Sequence, residues 1–280
     1  MNHFITNEHL AAFEGCLRSE EREPATIEKY LRDVRAFAAW AGTRCVTKEL
    51  AVAWKEHLRT VGYAPATINS MLVALNRFFA FQGWKELRIK TLRIQRQIFR
   101  SRERELTKEE YVRLVQTAQD LGRERLALLM EAICGTGIRV SEVRYLTVEA
   151  AEARRAEVSL KGKIRTILLP GKLCRKLLKY AKKKKIVSGE IFLTRNGKQL
   201  SRRQIWAEMK ALCERAGVVA SKVFPHNLRH LFAVTFYKAC RDVVQLADVL
   251  GHSSVETTRI YLASTGTEHL RRMNRLELIS

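Results

Sequence analysis

The sequence predicts a mainly α-helical protein of the α+β class, with a helical N-terminal bundle followed by a mostly helical domain that contains a small antiparallel sheet. Residues 1–87 carry apolar side chains at helical spacing between proline starts and glycine stops. Two short runs rich in β-forming residues, 156–160 and 164–169, flank a hairpin turn at 161–163. The length of 280 residues fits two ordinary domains.

Three helices are predicted in the first domain. The first begins at Pro24, where Thr26 can act as a cap, and it ends before Gly42. The second covers about 48–59, and the third follows Pro65. The apolar stripes consist of Ile27, Tyr30, Leu31, Val34, Phe37 and Trp40 in the first helix, and of Ile68, Met71, Leu72, Leu75, Phe78 and Phe79 in the third. Aromatic side chains at this spacing indicate a packed core in preference to a base-stacking surface.

The segment 88–105 is predicted to be a basic linker between a first domain at 1–87 and a second domain at 106–280. The run RIKTLRIQRQIFRSRER contains seven basic residues and one acidic residue, without glycine or proline. Such a run is either a solvated charged segment or a strap that lies on phosphates. In a chain this basic, the strap is at least as good an interpretation.

The second domain is predicted to begin with a helix, because Thr107 and Glu110 have the spacing of a capping box. Around the hairpin, the predicted elements are, in chain order, helices at 123–133 and 140–146, a basic helix with seven Lys or Arg in eleven residues at 175–185, a strand at 191–194, helices from about 201 to 262, and an amphipathic tail helix at about 268–280.

The charge balance is the main compositional signal. The chain contains 51 Lys and Arg against 29 Asp and Glu, which gives a net charge of +22. A field of this sign and size favours a polyanion as partner, so we expect the protein to bind nucleic acid. A ribosome-type basic protein, or a surface that is charged only for solubility, is the alternative.

Several classes of protein are disfavoured. No apolar run approaches the roughly 18–20 residues of a membrane span, and the N-terminal residues lack the pattern of a secretory signal. The six cysteines have no metal-ligand spacing and read as free thiols in a reducing compartment. We therefore expect a cytoplasmic protein with no membrane partner. The cysteines are Cys16, Cys45, Cys134, Cys174, Cys213 and Cys240.

Four short islands in the second domain carry candidate chemistry, and the first two are cationic. Arg139 follows a glycine-rich turn at the start of a helix, with Glu142 three residues later on the same face. Lys161 lies at the hairpin tip. Taken alone, either island is typical of an ordinary surface.

The other two islands contain histidine. His226 and Arg229 share one face in the first turn of a helix opened by a proline, where backbone N–H groups also favour an anion. His252 and Tyr261 bracket a polar helical stretch, GHSSVETTRIY. Because that stretch has few apolar residues, we expect it to bury only one side weakly and its tyrosine to face outward.

Together these groups match the needs of phosphodiester chemistry. Arginines pair with non-bridging phosphate oxygens, a nucleophile attacks phosphorus, and an acid protonates the leaving oxygen. A tyrosine hydroxyl has an ordinary pKa of about 10, so it needs a base or a strong positive field to attack. Acidic residues are not grouped near the islands, which favours metal-free nucleophilic chemistry over two-metal hydrolysis.

The order and spacing of these islands resemble the tyrosine recombinases, the phage integrase family. The motifs that carry the resemblance are GTGIRVSEVRYL, LKGKIR, HNLRHLFAV and LGHSSVETTRIYL, and they occur in family order. The N-terminal half is similar to the core-binding, SAM-like domain of the family, with Thr26, Tyr30, Phe37 and Trp40 placed as in that domain. The resemblance covers nearly the whole chain and is strongest to compact Xer-type and mobile-element recombinases.

The resemblance implies a role for each residue of the islands. Tyr261 would be the nucleophile that forms a 3′-phosphotyrosyl link. Arg139 and Arg229 would hold the scissile phosphate, His226 would be the general base and Lys161 the general acid. His252 would hydrogen bond a non-bridging oxygen, Glu142 would orient Arg139, and His230 would support the catalytic residues without contacting the phosphate. Lys163, on the same hairpin, is the alternative general acid. Asn227 stands where the family often has Asp, and LAST follows Tyr261 in place of a more usual Thr-His.

The resemblance also implies the reaction and its partners. We expect site-specific recombination of double-stranded DNA without metal or cofactor, through a Holliday junction in a homotetramer on DNA that is a monomer when free. The tail helix would pack on a neighbouring protomer. A type IB topoisomerase is the alternative with the same chemistry, and a DNA-binding protein with a vestigial catalytic set is the alternative without it. The presence of all six catalytic groups disfavours the vestigial interpretation.

Overall fold

A computed structural model describes residues 3–94, 104–160, 163–259, 261 and 274–275, without the side chains of Leu160 and Lys163. The chain divides into two compact units, Met1–Arg96 and Gln97–Ser280. Residues 95–103 of the predicted linker, and the predicted tail helix at about 268–280 apart from 274–275, lie outside the described residues.

The first unit is a bundle of four helices. A capping box at Thr6, in which His9 occupies the third helical position, begins a helix that the sequence patterns above do not locate. Prolines begin the second and fourth helices, because a proline at the first turn costs no hydrogen bond. The helices are α1 (Asn7–Ser19), α2 (Pro24–Ala41), α3 (Lys48–Thr60) and α4 (Pro65–Phe81), followed by a 3₁₀ turn at Lys85–Leu87.

Aromatic rings fill the core of this unit, as the helical spacing predicted. Phe37 is fully buried, and its ring meets Trp54 edge-on at 5.8 Å between centroids. Phe13 of α1 meets Phe78 of α4 in the same manner at 5.4 Å. All six stripe residues of α4 are buried, whereas Tyr30 and Trp40 of α2 are only half-buried at the edge of the core.

The segment after α4 is fastened to that helix by two asparagine side chains. Asn76 donates from Nδ2 to the Ile89 carbonyl at 2.8 Å and accepts from the Ile89 N–H at 2.8 Å. Asn69 forms the same pair of hydrogen bonds with Leu92, at 2.9 and 2.7 Å. Ile89 is itself 1% exposed in the core. Residues 88–94 of the predicted linker therefore pack with the first unit.

The Asn76 side chain should contribute measurably to the stability of this unit. Asn76→Ala leaves both the N–H and the carbonyl of Ile89 without their partner, so we expect a loss of about 1–2 kcal/mol in the free energy of unfolding. Denaturant unfolding and amide exchange at Ile89 would measure it. Val73→Ala is the control, because Val73 is 47% exposed on the same helix. An equal loss in both variants would contradict the prediction.

In its described residues, the second unit is mostly helical and contains one two-stranded sheet. Strand β1 pairs antiparallel with β2 in a register that sets Arg155 opposite Leu168 and Val158 opposite Arg165. The elements are α5 (Lys108–Asp120), α6 (Glu124–Thr136), α7 (Val148–Glu152), β1 (Arg155–Leu160), β2 (Lys163–Leu168), α8 (Gly171–Lys183), α9 (Arg202–Lys210), α10 (Cys213–Ala216), α11 (Pro225–Cys240), α12 (Val243–Leu250) and α13 (Val255–Arg259), with 3₁₀ turns at Val140–Tyr145 and Ala220–Lys222.

The buried helix α6 is the centre of this unit. It packs against α5, α8 and α11, and seven of its side chains between Leu126 and Ile133 are buried. Its C-terminal end leads directly into the loop that carries Arg139. The core helix therefore fixes one edge of the candidate site.

Two sequence predictions differ from the structure in this unit. The segment predicted as a helix at 140–146 is a short 3₁₀ helix. The predicted strand at 191–194 is wrong, because Leu193 only forms an isolated bridge to Gln199 across a tight turn. The several helices predicted from about 201 are present as α9 to α13, and αL residues at Gly217, Arg241 and Gly251 end three of them. Within the described ranges, no helix is both long and apolar enough to cross a membrane.

Candidate active site

Arg139 is placed by a glycine turn at the end of α6. Gly137 has a φ of 65°, in the left-handed region that favours glycine. A Cβ atom at this position would collide with the Phe232 ring of α11, so the close packing also requires glycine. The turn sets Arg139 at the N-cap of the following 3₁₀ helix.

Glu142 holds the Arg139 guanidinium, as its spacing predicted. Its two carboxylate oxygens accept from Nη1 of Arg139 at 2.8 Å and from the backbone N–H of Arg139 at 2.9 Å. The second oxygen also accepts from Nη2 of Arg165. Burial alone would raise the Glu142 pKa, but the hydrogen bonds from Arg139 and the charge of Arg165 outweigh it, and the pKa lies below its usual range.

Arg229 is the most deeply enclosed cation of the site, with 3% exposure. Its Nη1 donates to the Gly137 carbonyl, and its Nη2 donates to the Leu250 carbonyl at 2.8 Å. Burial and the charge of Arg139 lower the Arg229 pKa to about 10, while its interaction with the Tyr261 side chain raises it. The guanidinium therefore remains charged at neutral pH and is fixed in place by backbone acceptors.

His252 connects Arg229 to α13, the helix that precedes Tyr261. Its Nε2 lies 3.0 Å from Nη2 of Arg229, which can only donate. The Nε2 atom is therefore the acceptor, and Nδ1–H donates to Oγ1 of Thr258 at 2.8 Å. Burial and the charges of Arg229 and Arg139 lower the His252 pKa to about 4, so the imidazole is neutral at pH 7.

Tyr261 lies beside Arg229 and His252 of its own chain. Its ring is stacked on the His252 ring, with 5.8 Å between centroids and an interplanar angle of 11°. Apolar side chains of α11 and α12, Ala233, Leu246 and Leu250, pack against it. The tyrosine is 5% exposed, so the expectation that it faces outward is wrong. The polar stretch is short enough for its C-terminal end to fold inward, since α13 ends at Arg259.

Two histidines of α11 lie next to the same ring. The His226 and His230 ring centroids are 6.1 and 5.4 Å from that of Tyr261. His226 is exposed, whereas His230 is buried with its Nε2 4.0 Å from a carboxylate oxygen of Glu105. Buried Asn227, where the family often has Asp, donates to the carbonyls of Arg104 and Lys222, which a carboxylate could not do.

The structure thus brings together most of the predicted site residues. The side chains of Arg139, Glu142, Arg229, His252 and Tyr261 form one connected cluster, with His226 and His230 against the tyrosine ring. Lys161 lies outside the described residues, as does the side chain of Lys163. The choice between the two lysines stays open.

Sequence reasoning missed two residues of this cluster, Arg165 and Thr258. Arg165 of β2 donates to Glu142 and to the Leu250 carbonyl, and it packs against Gly251, where a Cβ atom would collide with it. Thr258 is fully buried, and its carbonyl accepts from the Tyr261 N–H at 3.0 Å. The available signal was the strand period, which places Arg165 two residues from Lys163 on the same face of the hairpin.

Arg165 should affect the rate of the DNA cleavage that the resemblance implies, through its contacts with Glu142 and the Leu250 carbonyl. Arg165→Met removes the hydrogen bonds that hold Glu142 and the loop before His252, so we expect single-turnover cleavage to fall on the order of 10-fold. Circular dichroism would verify folding. Arg155→Met is the matched control, because Arg155 is exposed on the paired strand. Unchanged cleavage in a folded Arg165→Met protein would contradict this role.

Comparison with known proteins identifies the family. Residues 104–268 match the phage integrase family, and residues 10–86 match the phage integrase N-terminal SAM-like domain. Tyrosine recombinase XerA of Thermococcus kodakarensis is 30% identical over 275 residues, which cover 95% of this chain and 94% of the relative. The chain belongs to the phage integrase family, within the class of tyrosine-type site-specific DNA recombinases.

Further comparisons agree with this family. Tyrosine recombinase XerC of Roseiflexus castenholzii is 31% identical, over 91% of this chain and 88% of the relative. The solved structure of the Tn1549 transposon integrase with transposon right-end DNA has the same fold, with a TM-score of 0.73 at 18% identity over 96% of this chain and 99% of that one. The predicted recombinase function is confirmed, and the topoisomerase alternative is not favoured.

Proposed function

We propose that this recombinase cuts and rejoins DNA through Tyr261, within a site assembled from one chain. The observation that carries the proposal is the placement of Tyr261 against Arg229, His252, His226 and His230. A phenol is a poor nucleophile unless positive charge or a base lowers the cost of its deprotonation. The surrounding cations and imidazoles supply both.

The two arginines would bind the scissile phosphate. Arg229 is held by the Gly137 and Leu250 carbonyls, and Arg139 by Glu142. Both guanidinium groups are thus oriented before DNA arrives, and they would stabilise the charge that develops on the non-bridging oxygens during attack. Because the two guanidinium groups already have this orientation, they need not rearrange as charge develops on the phosphate during the reaction.

In the covalent step, the Tyr261 oxygen forms a bond to phosphorus while the bond from phosphorus to the 5′-oxygen breaks. His226 would accept the tyrosine proton, and Lys161 or Lys163 would give a proton to the departing 5′-oxygen. The product is a 3′-phosphotyrosine and a free 5′-hydroxyl. Attack by a 5′-hydroxyl reverses the step, so the phosphoester bond is conserved and no ATP is needed.

His252 would change its protonation when DNA binds. Its Nε2 accepts a hydrogen bond from Arg229 in the DNA-free site, so it has no proton there to give to a phosphate oxygen. A phosphate in the site is a negative charge that favours the protonated imidazole and raises its pKa from about 4. The doubly protonated ring can then donate from Nε2.

The partner would be duplex DNA that carries a specific target sequence. The net charge of +22 suits a polyanion, and structural neighbours of the same fold are bound to DNA, among them the XerH recombinase on its difH substrate, with a TM-score of 0.68. Four protomers would exchange strands in pairs through a Holliday junction. We place the protein in the cytoplasm, on DNA of the nucleoid, and expect a monomer off DNA.

Covalent adduct formation tests the proposal directly. Mapping the DNA that the protein binds in cells would give its target site, and a nicked duplex of that site traps the intermediate. We expect one labelled adduct per cleaved strand, and efficient exchange only between paired sites. Relaxation of supercoiled DNA without a target site would instead support a topoisomerase. DNA binding without any adduct would exclude both the recombinase and the topoisomerase function.

A further inference from the structure

The basic helix α8 has no part in the candidate site, although it carries the densest cationic run in the chain. Residues 175–185 contain seven Lys or Arg in eleven residues. One side of α8 is buried in the core through Leu173, Cys174, Leu177, Tyr180 and Ala181. The cations therefore lie on the remaining surface of the helix.

Two ion pairs fix the direction of α8 relative to α6. Nζ of Lys176 lies 2.6 Å from a carboxylate oxygen of Glu131, and Nζ of Lys183 lies 2.7 Å from one of Glu124. The later lysine pairs with the earlier glutamate, so α8 runs antiparallel to α6. Because Glu124 begins α6 and the site follows its other end, the C-terminal end of α8 lies about 18 Å along the helix axis from the site.

The outer face of α8 carries cations that have no such partners. Lys172, Arg175, Lys179 and Lys182 recur every three or four residues, which places them in one stripe about 15 Å long. All four are exposed, and none pairs with any residue in the described part of the chain. We name these four residues the α8 stripe.

Like charges at this spacing repel one another and weaken a helix, so the stripe has an energetic cost in the free protein. A duplex offers phosphates every few ångströms along its backbone, and a stripe of this length spans several of them. We propose that the α8 stripe binds the backbone of duplex DNA outside the segment held at the catalytic site. The proposal rests on the proposed function, and it adds a second contact surface to it.

Salt dependence of binding tests the stripe with a matched pair of variants. Arg175→Gln with Lys182→Gln removes two unpaired cations seven residues apart. The control, Lys176→Gln with Lys183→Gln, also removes two positive charges seven residues apart, each one position after a residue of the first variant. These two lysines are paired with glutamates. The probe is a fluorescent 30-base-pair duplex of arbitrary sequence, titrated at several salt concentrations with protein that carries Tyr261→Phe.

We expect the first variant to lower the log–log salt slope by about 1.8, which corresponds to two phosphate contacts at about 0.9 each. The paired variant should keep the slope of the parent protein. Equal slopes for both variants and the parent, or an equal fall in both variants, would overturn the proposal while leaving DNA binding intact. If the parent bound no duplex at all, the proposed function would fail as well.

The rate of adduct formation supplies a second readout. Because α8 contributes no side chain to the cluster of Arg139, Arg229, His252 and Tyr261, the first variant in the wild-type Tyr261 background should form adducts at the parent rate when nicked DNA is saturating. A slower rate at saturation would mean that these residues act at the catalytic site, contrary to the proposal.

Discussion

Tyr261→Phe is expected to abolish covalent adducts with nicked target DNA while leaving DNA affinity nearly unchanged. The substitution removes only the hydroxyl oxygen that attacks phosphorus. The ring keeps its stacking on His252 and its packing against Ala233, Leu246 and Leu250. Adducts are counted by denaturing electrophoresis of labelled DNA, and affinity is measured by fluorescence anisotropy. We expect the adduct signal to fall below detection, because no other hydroxyl takes the place of the lost one.

Tyr237→Phe is the matched control for this experiment. Tyr237 packs against the same apolar cluster from α11, so its variant tests whether loss of any nearby phenol disturbs the site. It should form adducts at the wild-type rate. Adducts from the Tyr261→Phe protein would show that the nucleophile is a different residue. A large fall in the DNA affinity of Tyr261→Phe would mean that weaker binding, and not the lost nucleophile, accounts for the missing adducts.

Replacement of Arg229 is expected to have the second largest effect. Arg229→Ala removes a fixed guanidinium from the proposed phosphate site, and loss of one such contact commonly costs on the order of 10²-fold or more in rate. It also leaves the Gly137 and Leu250 carbonyls without their donor, so some loss of stability should accompany it. Single-turnover cleavage measures the rate, and thermal unfolding measures the stability.

Two further variants separate charge from geometry at this position. Arg229→Lys keeps the charge but cannot reach two carbonyls and His252 at once, so we expect cleavage to stay at least 10-fold below wild type. Lys238→Ala removes an exposed cation from the same helix and should leave cleavage unchanged. Wild-type cleavage by folded Arg229→Ala protein would exclude Arg229 from the reaction.

The helical architecture could be predicted because its signals are local. Prolines at the starts of α2 and α4 and a regular apolar stripe along α4 define those helices without tertiary information. The 3₁₀ helix after Arg139 could not be distinguished from an α-helix, because both begin with the same Arg–Glu cap and differ only in how tightly the chain is wound. Residues 191–194 have the pattern of a strand, but Leu193 pairs only with Gln199 across a tight turn, so no strand forms there.

The sequence predicts most residues of the candidate site, but not the contacts that join them. The motifs identify Arg139, Arg229, His252 and Tyr261, and the structure places them together. Arg165 belongs to the cluster through contacts with Glu142 and Leu250, which are 23 and 85 residues away in sequence. Contacts of that range follow from how β2, α12 and the Arg139 loop pack, and no local pattern encodes them.

The burial of the tyrosine ring affects how the covalent DNA intermediate is consumed. A phosphotyrosine is consumed either by a 5′-hydroxyl, which reseals the strand, or by water, which leaves a permanent nick. Displacement at phosphorus occurs in line with the departing tyrosine oxygen, so an attacking group must enter opposite Tyr261. The ring is covered by Ala233, Leu246 and Leu250. Because the buried ring holds the tyrosine oxygen in one place, the entry side is fixed as well, and it is the side from which the 5′-hydroxyl departed.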